Sequence, residues 1–182
     1  MKTAYINLWN KRVGAVSWND ERKLGSFEFD PPFASNGLDI SPRAHFMTKR
    51  FDRPKLHAQT WCAMDHKDFQ QVGNFSYEEL FQTMRTLGLP YPRAEQLFKR
   101  MVFNLVAKNC DDHTKNFAFT MDKTRKWDLS PAYDICHAYR PSSIWVSRES
   151  FSINGKREQI NRNDLQTIAK QMNIKKPDQL ID

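Results

Sequence analysis

The chain has 182 residues, with 40% apolar and 27% charged side chains, a length and balance that suit one ordinary globular domain, or two small ones, with a sizeable buried core. Lysine and arginine outnumber aspartate and glutamate by 28 to 21, and the resulting charge of +7 favours anionic partners: nucleotide phosphate, nucleic acid or an acidic protein. The six glycines, at positions 14, 25, 37, 73, 88 and 155, are too far apart to build any glycine-rich phosphate loop.

The first 30 residues read as β. Ala4 to Trp9 alternates, Asn10-Lys11 turns, Val13 to Trp18 forms a second strand, and Gly25 to Asp30 a third, which together make a small antiparallel meander. Residues 31–42 hold three prolines and a glycine and read as a joint. His45 to Phe51 reads as a further short strand. Leu56 to His66 reads as a helix. Ser76 and Glu79 form a capping box that opens a helix to Leu87, ended by Gly88 and Pro90. Pro92 lies in the first turn of the clearest helix. There Ala94, Leu97, Phe98, Met101, Val102, Leu105 and Val106 form a wide apolar stripe. Phe117 to Phe119 and Trp127 to Leu129 read as a hairpin. Residues 131–161 are irregular and aromatic, Asn163-Asp164 caps a helix to about Met172, and Pro177 starts another.

The expected fold class is α+β. A β-rich piece with its linker occupies residues 1–42, and an α-rich lobe occupies 43–182. No run of eighteen apolar residues suggests a membrane span, and the N-terminus lacks the apolar stretch of a signal peptide. Cys62, Cys110 and Cys136 are odd in number and widely spaced, which fits a reducing cytoplasm, and the five histidines make no zinc pattern. The positive charge is spread along the chain, so no dedicated nucleic-acid groove is indicated.

Between the long helix and the hairpin lies an almost wholly polar segment, with Asp111, Asp112, His113, Lys115 and Asn116 in six positions. Asp134 follows beyond the hairpin, which folds it back toward this loop. Phosphoryl transfer needs such a set: one carboxylate to orient the attacking hydroxyl and take its proton, and a second carboxylate with an amide oxygen to hold Mg²⁺ against the phosphates. In protein kinases the asparagine stands five residues after the catalytic aspartate, as Asn116 does after Asp111. Taken alone, the cluster fits a solvated turn after a helix equally well.

The order of longer motifs is more specific. Phe46-Met47-Thr48-Lys49-Arg50-Phe51-Asp52-Arg53, then Asp111-Asp112-His113-Thr114-Lys115-Asn116-Phe117, then Leu129-Ser130-Pro131-Ala132-Tyr133-Asp134 closely resembles the HipA family of serine/threonine-kinase toxins from bacterial toxin–antitoxin pairs. Ser152-Ile153-Asn154-Gly155-Lys156-Arg157 is similar to a stretch of that family's C-terminal lobe, and residues 4–41 look like its small N-terminal β subdomain. The resemblance implies ATP and Mg²⁺ as cofactors and Asp111 as catalytic base. It implies Asn116 and Asp134 as metal ligands, and Phe51, Asp52, His66, His113 and Tyr133 around the nucleotide. It also implies a protein substrate in the translation machinery, notably glutamyl-tRNA synthetase. The implied partner is a helix-turn-helix antitoxin of the HipB type, with DNA reached only through that partner and no membrane contact. The family's stretch carrying the phosphate-covering loop and its lysine is absent near Pro42-Arg43, and the chain stops early, after Met172 and Pro177. A non-catalytic antitoxin-binding module is therefore the alternative expectation.

Overall fold

The computed structural model describes residues 2–8, 11–19, 24–29 and 56–182. The expected joint at 31–42, the expected strand at His45 to Phe51 and the candidates Phe51 and Asp52 lie outside the described residues. The architecture is α+β. Strands β1 (Lys2–Leu8), β2 (Lys11–Asn19) and β3 (Leu24–Phe29) form the expected antiparallel meander. Its register pairs Ile6 with Gly14 and Val16 with Phe27, with an irregularity between Ile6 and Asn7.

A second antiparallel sheet corrects the reading of residues 56–66 as a helix. His57–Thr60 is a strand, β4, whose backbone pairs with β5 (Ala118–Met121), and β5 in turn pairs with β6 (Trp127–Leu129). Only Trp61–Met64 is helical (α1), opened by the Thr60 hydroxyl, which accepts from the Ala63 amide. The long-range pairing with β5 overrides the helical spacing, because that partner comes from far along the chain and no local pattern reveals it.

Helix α2 (Tyr77–Thr86) starts at Ser76 with both bonds of the capping box present, and Gly88 follows it at φ 68°. Helix α3 (Tyr91–Ala107) carries Pro92 in its first turn, where a missing amide hydrogen costs nothing. Leu97, Phe98, Met101 and Val102 of its stripe are buried, whereas Val106 is 56% exposed. The buried face instead turns toward Arg100, Phe103 and Asn104. Lys108 ends the helix in the left-handed region, at φ 53° and ψ 48°, and the Asn109 amide closes back onto the Asn104 carbonyl.

Residues 130–160 make no long element. They are pinned by long-range bonds such as Ser152 N to Phe75 O (3.0 Å) and Asn154 N to Glu78 Oε1 (2.9 Å). Helix α4 (Arg162–Gln171) is capped by Asn161 rather than Asn163, and Asp164 is the reciprocating third residue of that capping box. A short α5 (Asp178–Ile181) follows Pro177. The core gathers residues of α1 to α4 around Phe117, Phe119, Phe151 and Ile153. Phe117 stacks on Phe151 at 5.6 Å, and Tyr77 and Trp61 each meet Phe151 edge-on at 5.3 Å.

Candidate functional site

The polar loop from Asn109 to Asn116 is held at both ends by the core. At its far end Phe117 is buried among aromatic rings, and its carbonyl accepts from the Trp61 amide at 2.8 Å. At its near end Ala138 bridges the two neighbours of Asn109, accepting from the Cys110 amide and donating to the Lys108 carbonyl, both at 3.0 Å. Within the loop the Asn116 side-chain amide donates to the Asp111 carbonyl at 2.8 Å, and the backbone turns through His113 N to Asp111 O and Asn116 N to His113 O, both 2.9 Å. Thr114, fully buried, donates to the Lys67 carbonyl at 3.0 Å.

Under the loop lies a buried polar network. Asp112 is 1% exposed and accepts from the Tyr77 hydroxyl at 2.6 Å and the Ser150 amide at 3.0 Å. Asn104 donates to the Tyr77 oxygen at 3.0 Å, and Asn109 donates to the Asn104 amide oxygen at 3.1 Å. Burial pushes the Asp112 carboxyl up to about 8, against the pull of the Tyr77 hydrogen bond. Burial likewise holds the Tyr77 hydroxyl well above its ordinary range, and raises the Cys110 thiol to about 12 with help from the Glu149 carboxylate. Cys110 is therefore a protonated, packed thiol rather than a nucleophile.

The segment carrying Asp134 is fastened to the same network. The Ser130 amide donates to the Ala118 carbonyl at 3.0 Å, and buried Arg100 donates to the Ser130 carbonyl at 2.7 Å. The Tyr133 hydroxyl donates to the Lys115 carbonyl at 2.5 Å, and Asn109 reaches the Asp134 carbonyl at 3.4 Å. Asp134 itself is exposed, in the left-handed region at φ 55°. Burial lifts the Tyr133 hydroxyl to about 12, so it stays a donor across the physiological range.

Two cavities border the loop. A narrow slot of about 10 Å³ is lined by Asn116, Tyr133, Asp134 and, from the network, Asn104, Asn109 and Asp112. A wider cleft of about 200 Å³ lies against Asp111 and His113. His113 Nε2 is 3.9 Å from the Asp111 carboxylate, its ring meets Phe69 edge-on at 5.5 Å, and its Nδ1 is buried with no hydrogen-bond partner among the described residues. Of the candidates from sequence, Asn116, Tyr133 and Asp134 thus share one slot, and Asp111 and His113 share the neighbouring cleft. His66 is exposed at φ 52° and lines neither. Tyr77, Asn104, Asn109 and Ser150 were not legible as site residues. The one available signal was a polar Asn104 beside the apolar stripe of α3.

A family model for the HipA-like C-terminal domain matches residues 30–182. Among curated proteins, one named "Putative kinase Y4mE" from Sinorhizobium fredii is 24% identical over 123 residues, covering 56% of this chain and 29% of that protein. Among solved structures, a chain of the Shewanella oneidensis MR-1 toxin–antitoxin complex of HipA, HipB and its operator DNA superposes with a TM-score of 0.55. That match is 15% identical and covers 92% of this chain and 40% of the other. The chain therefore spans less than half the length of each of these two proteins.

Proposed function

The chain belongs to the HipA-like C-terminal domain family, and from that premise we propose that it is the catalytic-loop portion of a serine/threonine kinase, transferring phosphate from Mg-ATP to a protein hydroxyl. The observation that carries this reading is the Asn116 tie. By donating to the Asp111 carbonyl, the side-chain nitrogen of Asn116 is committed to the loop, which leaves its oxygen to serve as a metal ligand with Asp134, which lines the same slot. An amide oxygen and a carboxylate are hard donors of the kind Mg²⁺ takes, and the slot holds roughly one water-sized body. Among the described residues no three His, Cys, Asp or Glu side chains converge on a metal position. Phosphate oxygens and water would complete the coordination, which is the habit of Mg²⁺ at nucleotide sites.

In this reading Asn116 and Asp134 hold the metal, which when bound would neutralise charge on the phosphates. Asp111 orients the acceptor hydroxyl and takes its proton. Tyr133 at the slot and His113 beside Asp111 at the cleft, together with Phe51, Asp52 and His66, are the nucleotide contacts that the family resemblance implies. The division into residues 1–42 and 43–182, the translation-machinery target, the HipB-type antitoxin and the cytoplasmic setting belong to the same proposal. Three unpaired thiols, at Cys62, Cys110 and Cys136, support the last.

One feature favours a second reading. No two of the six glycines are close enough to build a loop over the phosphates, and positioning supplies most of the catalysis in phosphoryl transfer. A non-catalytic module that binds the antitoxin would keep this fold without the transfer step. Calorimetry with Mg-ATP separates the two. Binding that Asp134→Ala abolishes, with serine phosphorylation that Asp111→Asn abolishes, is expected of the kinase. No heat of binding at millimolar ATP would leave only the module.

A further inference from the structure

The cleft of about 200 Å³ beside Asp111 is unlike the slot on the metal side. Phe69, Val72 and Trp145 give it apolar walls, and Asp111, His113 and Ser150 close its inner end. Trp145 is 50% exposed, which is unusual for so large an apolar side chain. It is nonetheless held in place. The Arg140 amide donates to the Val146 carbonyl at 3.0 Å, and the Ser143 hydroxyl accepts from the Trp145 amide at 3.1 Å. The inner end is fixed too, since the Ser150 amide donates to Asp112 and the Gly73 amide donates to the Ser150 carbonyl at 3.1 Å. Lys115 places its ammonium 3.4 Å from the centre of the Phe69 ring, giving the same wall a positive charge.

Size decides what such a cleft can take. It is smaller than the roughly 300–1,000 Å³ of pockets that engulf whole small molecules. That suits one side chain of a larger partner. The cleft also abuts the carboxylate that acts on the acceptor hydroxyl in the reading above, on which this inference rests. We propose that the cleft seats an apolar, leucine-sized side chain next to the phosphorylated serine or threonine of the protein substrate. Phe69, Val72 and Trp145 then set the sequence preference. Adjacent Cα atoms are about 3.8 Å apart, so a side chain anchored here delivers its neighbour's hydroxyl to Asp111.

The test is direct binding without ATP, which keeps it separate from the transfer chemistry. Fluorescence anisotropy would compare two labelled peptides with a central serine, one with leucine beside it and one with glycine. The leucine peptide is expected to bind at least roughly tenfold tighter, since an apolar pocket gives about that discrimination for a single methylene and leucine carries four more carbons than glycine. Trp145→Ala removes a wall and Gln70→Trp fills the rim from an exposed position, and each is expected to bring the ratio close to one. Equal affinities, no binding of either peptide, or a preference unchanged in both variants would overturn the proposal. A leucine preference that persists while calorimetry finds no ATP binding would uphold the cleft and remove only the transfer step.

Discussion

The side chain of Asn116 closes the polar loop on itself by donating to the main-chain carbonyl of Asp111 at 2.8 Å. Five residues separate the two, and the bond fixes which atom of each faces outward. Asn116→Asp replaces this donor with a second acceptor aimed at the same carbonyl. The variant is expected to lose about 1–3 kcal/mol of unfolding free energy, the cost of disrupting a partly buried hydrogen bond and leaving its partner unmatched. Urea denaturation measures it, and an unchanged midpoint would mean that the tie contributes nothing.

Asp112 should make stability depend on pH in the direction opposite to most carboxylates. Its folded pKa of about 8 lies above the ordinary 3.8. Between those values the folded state retains a proton that the unfolded state has released, so stability falls as pH rises through that window. Asp112→Asn cannot ionise and should flatten the slope between about pH 5 and 8. Asp112→Ala leaves the Tyr77 hydroxyl and the Ser150 amide without their acceptor, at about 1–3 kcal/mol for each orphaned donor. Thermal melts over a pH series distinguish the two variants.

Asp164 should act in the usual direction. The Asn161 amide, the Asn154 side chain and the Lys156 ammonium all donate to it, and together they hold its carboxyl down to about 2. Its contribution is complete above the ordinary carboxylate pKa and is lost as pH falls through about 2. Asp164→Ala is expected to lower stability at neutral pH and to narrow its difference from the parent protein in acid. A constant difference across an acid titration would contradict this.

Helix α3 offers a packing test. Leu97 is fully buried, and Leu97→Ala should cost about 2–5 kcal/mol through lost contacts and the cavity left behind. Val106, which has the same stripe periodicity, is more than half exposed, and Val106→Ala should stay within about 0.5 kcal/mol. Equal losses at the two positions would mean that the helix is rotated from the orientation described.

Of Gly73, Gly88 and Gly155, Gly73 is the one where an added side chain would meet another group closely. Its φ of 89° suits glycine, and a methyl group there would meet the Arg157 guanidinium, which donates to the Glu149 carbonyl at 2.7 Å. Gly73→Ala is expected to cost about 1–3 kcal/mol from backbone strain alone. A neutral result in denaturant titration would show that the turn can relax.

Local chemistry was enough to read much of this protein from its residues. The meander of β1 to β3, the Ser76 capping box, the start of α3 at Pro92 and the β5–β6 hairpin all follow from signals within a few positions of one another. The five-residue spacing of Asp111 and Asn116 was legible in the same way, whereas the bond from the Asn116 side chain to the Asp111 carbonyl is a finding of the structure. What depends on distant partners was decided only by the tertiary structure. His57–Thr60 became a strand because β5 lies beside it, and Val106 turned outward because the core meets α3 along Phe103 and Asn104 instead. The network from Asp112 through Tyr77, Asn104 and Asn109 joins two helices to the loop across 27 to 35 positions of sequence, beyond the reach of any periodicity. The candidate site residues could be named from the chain because their types and spacing are local. Their division between a narrow slot and a wider cleft could not, because packing alone decides which wall each side chain faces.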